Sequence, residues 1–518
     1  MAHLLFDSNS IDGIPISLQV VIGVCVLSLL AGVYTFLTSD RPIAGFPVLS
    51  VDGLKPKISW YTKGNETLEE GYKKYTGKPF QVATGTGHRI ILPNRFANEV
   101  RNDNRLSLNG AFAQDFFAHY PGFEAIKVVF EHESNTLIQD TVRIRLTQSL
   151  GLITGDLVEE ATDAVHDIFG EDDQWKNINV KNHVIGLVAR MSSRTFLGKP
   201  LCRNRQWLDV TSQYSIGVFL ASRELRNVPV FARRVMQYFM PSCTKVRELY
   251  QTAKGLITAE VDRRTIAAQQ ALAAGKKPPK TADAIGWMVE LAKGKNYDLV
   301  AGQLSLSVAA VQTTTEAMTH LLVDIVEHGD IIQALREEII AVLREHGWSK
   351  VALHQLKLLD SVMKESQRIH RPRANLNRYA IDEVVLSDGT KIPKGSRLLV
   401  ETRMFDPELF PDPYTFNPYR FVELRENKDR GNDWQFVTVN PEFMAFGLGT
   451  HACPGRFFVA NEMKIALCHL LLKYDWQFVP GKKPGRSFEI EANVLFNPSA
   501  ELQIRRRKEE VDLSVMGS

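Results

Sequence analysis

Phe446-Gly447-Leu448-Gly449-Thr450-His451-Ala452-Cys453-Pro454-Gly455-Arg456 decides the fold. It places one cysteine in a glycine-rich loop that runs straight into a helical pattern over Arg456 to Lys473. Gly447 and Gly449 lack a Cβ, so the chain can turn sharply there and lie close to a flat ligand. Pro454 suits the first turn of the following helix, where its missing N–H costs nothing. The helix start aims backbone N–H groups and the positive end of its dipole at the sulfur, which favours thiolate over thiol. A thiolate presented in this way is a ligand form for haem iron. The competing reading, a buried free cysteine, suits Cys202, Cys243 and Cys468, which have no such surroundings.

Two further motifs precede this loop. In Glu365-Ser366-Gln367-Arg368 the charged residues are spaced i,i+3 and share one helix face. Phe416-Asn417-Pro418-Tyr419-Arg420-Phe421 supplies a second arginine that can reach the same carboxylate through forked hydrogen bonds. Taken alone, an i,i+3 pair reads more simply as a solvated surface pair of little energy.

In this order the three motifs resemble those of the cytochrome P450 haem-thiolate monooxygenases: E-x-x-R, F-x-P-x-R-F and F-G-x-G-x-[RH]-x-C-x-G. The resemblance covers roughly residues 60 to 507, and the wording around Cys453 looks most like fungal members that act in secondary metabolism. It implies a mainly α (α+β) fold with a small β subdomain and a heme b whose axial ligand is Cys453. Phe446 and Gly447 would lie against the haem, and Glu365, Arg368 and Arg420 would be structural. It further implies that His451, Arg378 and, more loosely, Arg143 meet the haem propionates. Arg145 lies on the same stretch as Arg143, where the usual tryptophan is missing.

On the oxygen side, Ala309-Ala310-Val311-Gln312-Thr313-Thr314-Thr315 aligns with the family's A-G-x-[DE]-T-T segment. The resemblance makes Thr313 the hydroxyl beside bound oxygen. Gln312 departs from the usual carboxylate; an amide cannot ionise, although it can orient water. Three consecutive threonines can bond back to i−4 carbonyls, so a local helix distortion is expected. Without the resemblance, such a run reads as hydroxyls bonded to their own backbone. Substrate contacts are expected from Phe112, Phe116, Phe117, Tyr120, Tyr214, Phe219, Ala309, Ala374 to Leu376, and Val494 to Phe496 with Leu495. Each could equally be ordinary core.

The chain has 518 residues, a net charge of +3 and five cysteines. Length alone allows about three domains, but no repeat or linker shows after residue 58, so one catalytic domain over 59–518 is expected. The charge is too near neutral to argue for nucleic acid. The sparse, odd cysteine count suits a reducing compartment and argues against a disulfide framework.

Residues 13–39 contain no charged side chain, and the apolar run from Leu18 to Leu37 is long enough to span a bilayer. A signal peptide fits less well, because there is no basic N-terminal region. Residues 1–40 are therefore expected to form a lumenal tail and membrane anchor, followed by a Pro/Gly-rich linker over 41–58. Asp7 and Asp12 precede the run, whereas Arg41, Lys55, Lys57 and Lys63 follow it. The positive-inside rule then puts the catalytic domain in the cytosol, on the endoplasmic reticulum. The sequon at Asn65 would face the cytosol and stay bare.

Short-range patterns predict a helix over Thr67–Tyr75 and strands at Phe80–Ala83 and His88–Leu92. They predict an aromatic loop over 105–123, helices from Thr136 to Asp330 broken at Lys276–Pro279, and a long buried helix over Asp298–His328. An amphipathic helix follows over Ile331–His346. A hairpin is expected over Val384–Val400 with its turn at Asp388-Gly389, and a strand pair over Phe488–Ile504 near Asn497-Pro498. Leu513 to Ser518 reads as a frayed tail. Glu131-His132-Glu133 has no second ligand pair and reads as a solvated helix start.

No phosphate-binding or dinucleotide fingerprint occurs, so electrons must come from a partner. By resemblance that partner is a membrane-bound NADPH–cytochrome P450 reductase. The expected activity is insertion of one oxygen atom from O2 into a C–H bond of a bulky lipophile such as a terpenoid or indole-diterpene. A haem-thiolate isomerase, lyase or dehydratase, kept open by Gln312, and a non-catalytic haem-binding protein are the rival readings.

Overall fold

The structure, a computed structural model, describes residues 16–37, 41–51, 53–131, 136–482, 485 and 487–514; of residues 16–20, 31 and 34–37 only the backbone is described. The expected lumenal tail, His132 and Glu133, and the last four residues lie outside the described residues. The principal helices, in chain order, are α1 (Ile16–Leu37), α2 (Gly64–Lys74), α3 (Leu108–Asp115), α4 (Leu150–Phe169), α5 (Val180–Leu197), α6 (Arg205–Asn227) and α7 (Pro241–Ala273). They continue with α8 (Leu299–Glu327), α9 (Ile331–His346), α10 (Lys357–His370) and α11 (Arg456–Lys473).

α8 is central because nearly all of its side chains are apolar or small, and α5, α6, α10 and α11 pack around it. Asp298 caps its N-terminus, accepting from the Ala301 N–H at 2.8 Å. α9 ends where the N–H of Gly347, at φ 54°, returns to the Leu343 carbonyl at 3.0 Å.

The strands are β1 (Phe80–Thr84), β2 (Gly87–Leu92), β3 (Leu106–Ser107), β4 (Lys176–Asn179), β5 (Ala374–Ala380), β6 (Val384–Val385), β7 (Lys391–Ile392), β8 (Arg397–Glu401), β9 (Tyr474–Phe478), β10 (Phe488–Ile490), β11 (Asn493–Leu495) and β12 (Glu501–Arg506). A five-stranded sheet runs β1-β2-β8-β5-β3, with β2 and β8 parallel and the other neighbours antiparallel. Its register slips between Asn375 and Arg378 on β5, where Leu376 adopts φ 56°. That bulge turns the strand locally and re-aims the residues after it.

Three expectations are corrected. The 105–123 stretch is not a loop: it holds β3 and α3, started by the Ser107 hydroxyl accepting the Gly110 N–H at 2.9 Å. Asn109 and Gly110 are poor helix formers, and the cap outweighs them. The Val384–Val400 hairpin is only the short pair β6-β7, turning at Gly389 (φ 85°), because β8 leaves to join the large sheet. The C-terminal pair β10-β11 turns at Glu491 (φ 57°) rather than at Asn497-Pro498, and β12 pairs with β4 and β9 instead.

α1 is a 22-residue helix without a charged residue. Among the described residues, no helix is long and apolar enough to cross a membrane.

Candidate functional site

The loop from Phe446 to Arg456 is closed on itself. The Cys453 N–H donates to the Phe446 carbonyl at 2.8 Å, and the Ala452 N–H to the Gly449 carbonyl at 3.1 Å. Gly449 has φ 71°, and a Cβ there would sit 2.2 Å from Asn102 Oδ1. The same Asn102 oxygen accepts the Thr450 N–H at 2.9 Å, so the glycine lets the loop seat on the neighbouring segment. α11 begins at Arg456, with Gly455 as its cap. Pro454 therefore lies just outside the helix, not in its first turn as the pattern suggested.

Burial pushes the Cys453 thiol up from its ordinary value. The N–H of Gly455, the charges of Arg456 and Arg371 and the N–H of Arg456 pull it back. The donor set expected from the helix start is present, but burial outweighs it for the free thiol.

Arg378 is fully buried on β5. Its Nη1 donates to the Asn377 carbonyl at 3.0 Å and its Nη2 to the Arg101 carbonyl at 3.4 Å, while its Nε has no partner. Burial alone lowers its pKa, to about 10, because no carboxylate among the described residues pairs with it. A buried guanidinium in this state suits an anionic group brought by a ligand. His451 lies exposed in the single 3₁₀ turn Gly449–His451. Arg143 belongs to a π-helical turn, Thr141–Leu146, whose Val142 borders the loop at Gly455. The Arg143 side chain is 70% exposed and donates to Asp140 Oδ1 at 3.0 Å; Arg145 pairs instead with Glu290 at 2.6 Å.

On α8 the burial pattern breaks at Ala309 and Thr313, which are exposed within an otherwise buried helix. Spaced i,i+4, they share one exposed face of the helix. Thr313 Oγ1 donates to the Ala309 carbonyl at 2.7 Å. Gln312 Nε2 donates to Glu316 Oε1 at 2.9 Å, and its Oε1 is buried without a partner. The expected distortion is not seen: α8 stays α-helical throughout, and the Thr314 and Thr315 hydroxyls find no partner.

Glu365 is fully buried on α10. Arg368 donates to both its oxygens at 2.8 Å, while Arg420 Nε and the Asn417 N–H reach Oε1 at 3.0 Å. Arg368 also ties the Met404 and Pro413 carbonyls at 2.8 and 2.6 Å. This is an interior clamp and not the solvated surface pair that spacing alone suggests.

The aromatic residues split into two groups. Phe112 stacks on Phe130 at 4.8 Å and on Phe116 at 5.8 Å, and Phe116 meets Phe219 edge-on at 5.2 Å. These three sequence candidates (Phe112, Phe116 and Phe219) are brought together, each partly buried. Tyr120 stacks on Phe117 at 5.7 Å. Tyr214 is core instead, its hydroxyl donating to the Gly122 carbonyl at 2.7 Å. Leu376 packs with Ile90, Leu398 and Met444 in a sheet core, and Ala374 packs with Trp60 and Phe80. Both are buried in these clusters. Leu495 ends β11, partly buried.

Sequence reasoning passed over Glu316 and Arg371. Among the described residues Arg371 has no hydrogen-bond or ion-pair partner, and Cys453 and Glu316 are its electrostatic neighbours. The i+4 step from Gln312 to Glu316 was the available signal.

A cytochrome P450 family model matches residues 58–504. The chain belongs to the cytochrome P450 family. It is 39% identical to the cytochrome P450 monooxygenase bsc2 of Alternaria brassicicola over 92% of each chain. It is 43% identical to the cytochrome P450 monooxygenase 1 of Gibberella fujikuroi over 84% of this chain and 99% of that one. With the cytochrome P450 monooxygenase adrA of Penicillium rubens the identity is 38%, over 94% and 96%. The protein is a haem-thiolate monooxygenase of fungal type, supplied with electrons by a redox partner. The residues described above fit a haem: a cysteine in a closed loop with two backbone donors at its sulfur, and a buried arginine without a carboxylate.

Proposed function

We propose that Cys453 is the thiolate ligand of the haem and that the enzyme oxidises a C–H bond of a bulky lipophilic secondary metabolite, of terpenoid or indole-diterpene type. The observation that carries this is the closed Phe446–Arg456 loop together with the carboxylate-free guanidinium of Arg378. The reaction is RH + O2 + NADPH + H⁺ → ROH + H2O + NADP⁺. Bound haem supplies the oxygen activation. The protein's own residues do the rest. Arg378 and His451 hold the propionates, the Glu365–Arg368–Arg420 clamp keeps the segments beneath the loop in place, and the Phe112–Phe116–Phe219 cluster offers an apolar wall that excludes water. Thr313 holds a hydroxyl on the open face of α8. Arg143, engaged by Asp140, takes part in propionate binding only if that surface pair opens.

Electrons come from NADPH through a membrane-bound NADPH–cytochrome P450 reductase that docks on the Cys453 side. The anchor in this reading is the charge-free stretch over residues 13–39, and the described side chains within it, such as Leu27 and Leu29, are exposed. Residues 1–40 then form the lumenal tail and anchor, 41–58 the linker and 59–518 the catalytic domain, facing the cytosol from the endoplasmic reticulum. Asn65 is expected to stay bare. Its amide donates to the Ala492 carbonyl at 3.0 Å and its oxygen accepts the Arg373 N–H at 3.1 Å, leaving no room for sugar. Sugar found on Asn65 would contradict the orientation.

The rival isomerase, lyase or dehydratase reading draws on the amide at Gln312. Turnover of terpenoid candidates with and without NADPH and reductase decides between them; product formed equally without both would overturn the monooxygenase reading.

A further inference from the structure

Gln312 holds no proton to give. One turn further along α8 stands a carboxylate that can carry one. Glu316 is i+4 from Gln312 and i+3 from Thr313, so it shares a face with both. Its Oε1 accepts from Gln312 Nε2 at 2.9 Å and from the Lys181 ammonium on α5, and its Oε2 accepts the Phe496 N–H at 3.0 Å. Behind it lies a cavity of about 50 Å³ bordered by Glu316, His320, Gln367, His370 and Arg371, among others.

Polar atoms on that border have no protein partner: His320 Nε2 and both amide atoms of Gln367, each on a residue more than nine-tenths buried. Buried polar atoms in such a space are satisfied by water, and this volume takes roughly three waters. Beyond it, His370 Nε2 meets both oxygens of Asp324 at 3.1 Å, and the His370 ring stacks on His320 at 4.0 Å. A line of groups able to pass protons therefore runs from Asp324 and His370, through the cavity, to Glu316 and the face that carries Thr313.

We propose that Glu316 is the carboxylate that relays protons to Thr313 in this enzyme, one helical turn beyond the position where Gln312 stands. The proposal rests on the monooxygenase reading above. Glu316 takes a proton from a cavity water and releases one to a water bonded to Thr313 Oγ1. That hydroxyl then passes its own proton toward the oxygen atom that leaves as water. Each proton handed on is replaced from solvent along the Asp324–His370 side, and no electron travels this way, since NADPH supplies both. For this step the Thr313 hydroxyl turns from the Ala309 carbonyl toward the water. The charged and titratable groups facing Glu316 are Lys181 from α5, Arg223 from α6, Arg371 after α10 and His320 on its own helix. Glu316 acts through Thr313 and is a positioning and relay residue.

The test uses the full-length holoenzyme with NADPH–cytochrome P450 reductase and the terpenoid that gives the largest Soret shift in a binding screen. Glu316→Gln should keep the Soret shift and the carbon monoxide spectrum. Product per NADPH should fall by about tenfold or more, with hydrogen peroxide making up the difference. Glu316→Asp should recover part of the coupling. Gln312→Glu added to Glu316→Gln should recover most of it, which a merely structural role for Glu316 does not allow. A crystal structure of the holoenzyme should show water bonded to Glu316 or Gln367 in the cavity. Coupling within twofold of wild type in Glu316→Gln, no rescue by Gln312→Glu, or a dry cavity would each overturn the relay. A wild-type protein without the red-shifted carbon monoxide band overturns the haem-thiolate reading itself, which is a separate result.

Discussion

At the scale of single residues, the interior of this enzyme holds more ionic chemistry than its site alone requires. Glu365 binds two guanidiniums, so its removal leaves both charges buried and unpaired. Glu365→Ala should destabilise the fold by about 3–5 kcal/mol, read from chemical denaturation. Arg378 is the opposite case, a buried cation still lacking an anion. Arg378→Gln should leave the far-ultraviolet circular dichroism unchanged while haem content after purification drops several-fold. Full haem retention would remove Arg378 from the propionate role. Glu462 on α11 offers a pH test. Burial pushes its pKa up to about 8, against one stabilising bond to the Ser192 hydroxyl at 2.6 Å. The folded state keeps this proton while the unfolded chain loses it near its ordinary value. Stability should therefore fall as pH rises from about 4.5 to 8, by up to ~1.4 kcal/mol per unit, and level off above. Glu462→Gln should flatten that slope in melting curves taken across the range.

At the scale of elements, α3 shows how a local cap overrides propensity. Ser107→Ala should cost about 1 kcal/mol and loosen the Phe112–Phe116 pair, measurable as a lower melting temperature and a weaker Soret response to lipophiles. The same element marks the boundary of what was legible in the chain. α9 and α11 were readable to the residue, because amphipathic period and a terminal glycine, or a flanking loop motif, are local signals. The Glu365 clamp was legible only because two motifs pointed at one carboxylate. The departure of β8 to the large sheet was not, since pairing partners far apart in the chain leave no trace in a short window. The burial of Leu376 in the sheet core was not legible for a related reason: it follows from a bulge with φ 56°. Glu316 carried only the i+4 step from Gln312 as a local signal, since its contact with Lys181 spans 135 residues.

At the scale of the whole molecule, α5, α6, α10 and α11 pack around α8. One buried helix thus carries the open Ala309–Thr313 face while the Cys453 loop leads into α11. A rigid frame around two small reactive positions explains why the family motifs are spread across the chain and yet serve one site. Deleting residues 1–40 should shift the protein from the membrane fraction to the soluble fraction without changing its haem spectrum, as fractionation and absorbance would show. The most direct measurement is the carbon monoxide difference spectrum of the reduced full-length protein beside Cys453→Ser, with haem quantified in both. The account predicts a strongly red-shifted band in the wild type and its absence from haem-loaded Cys453→Ser. A red-shifted band that persists in the variant would contradict it.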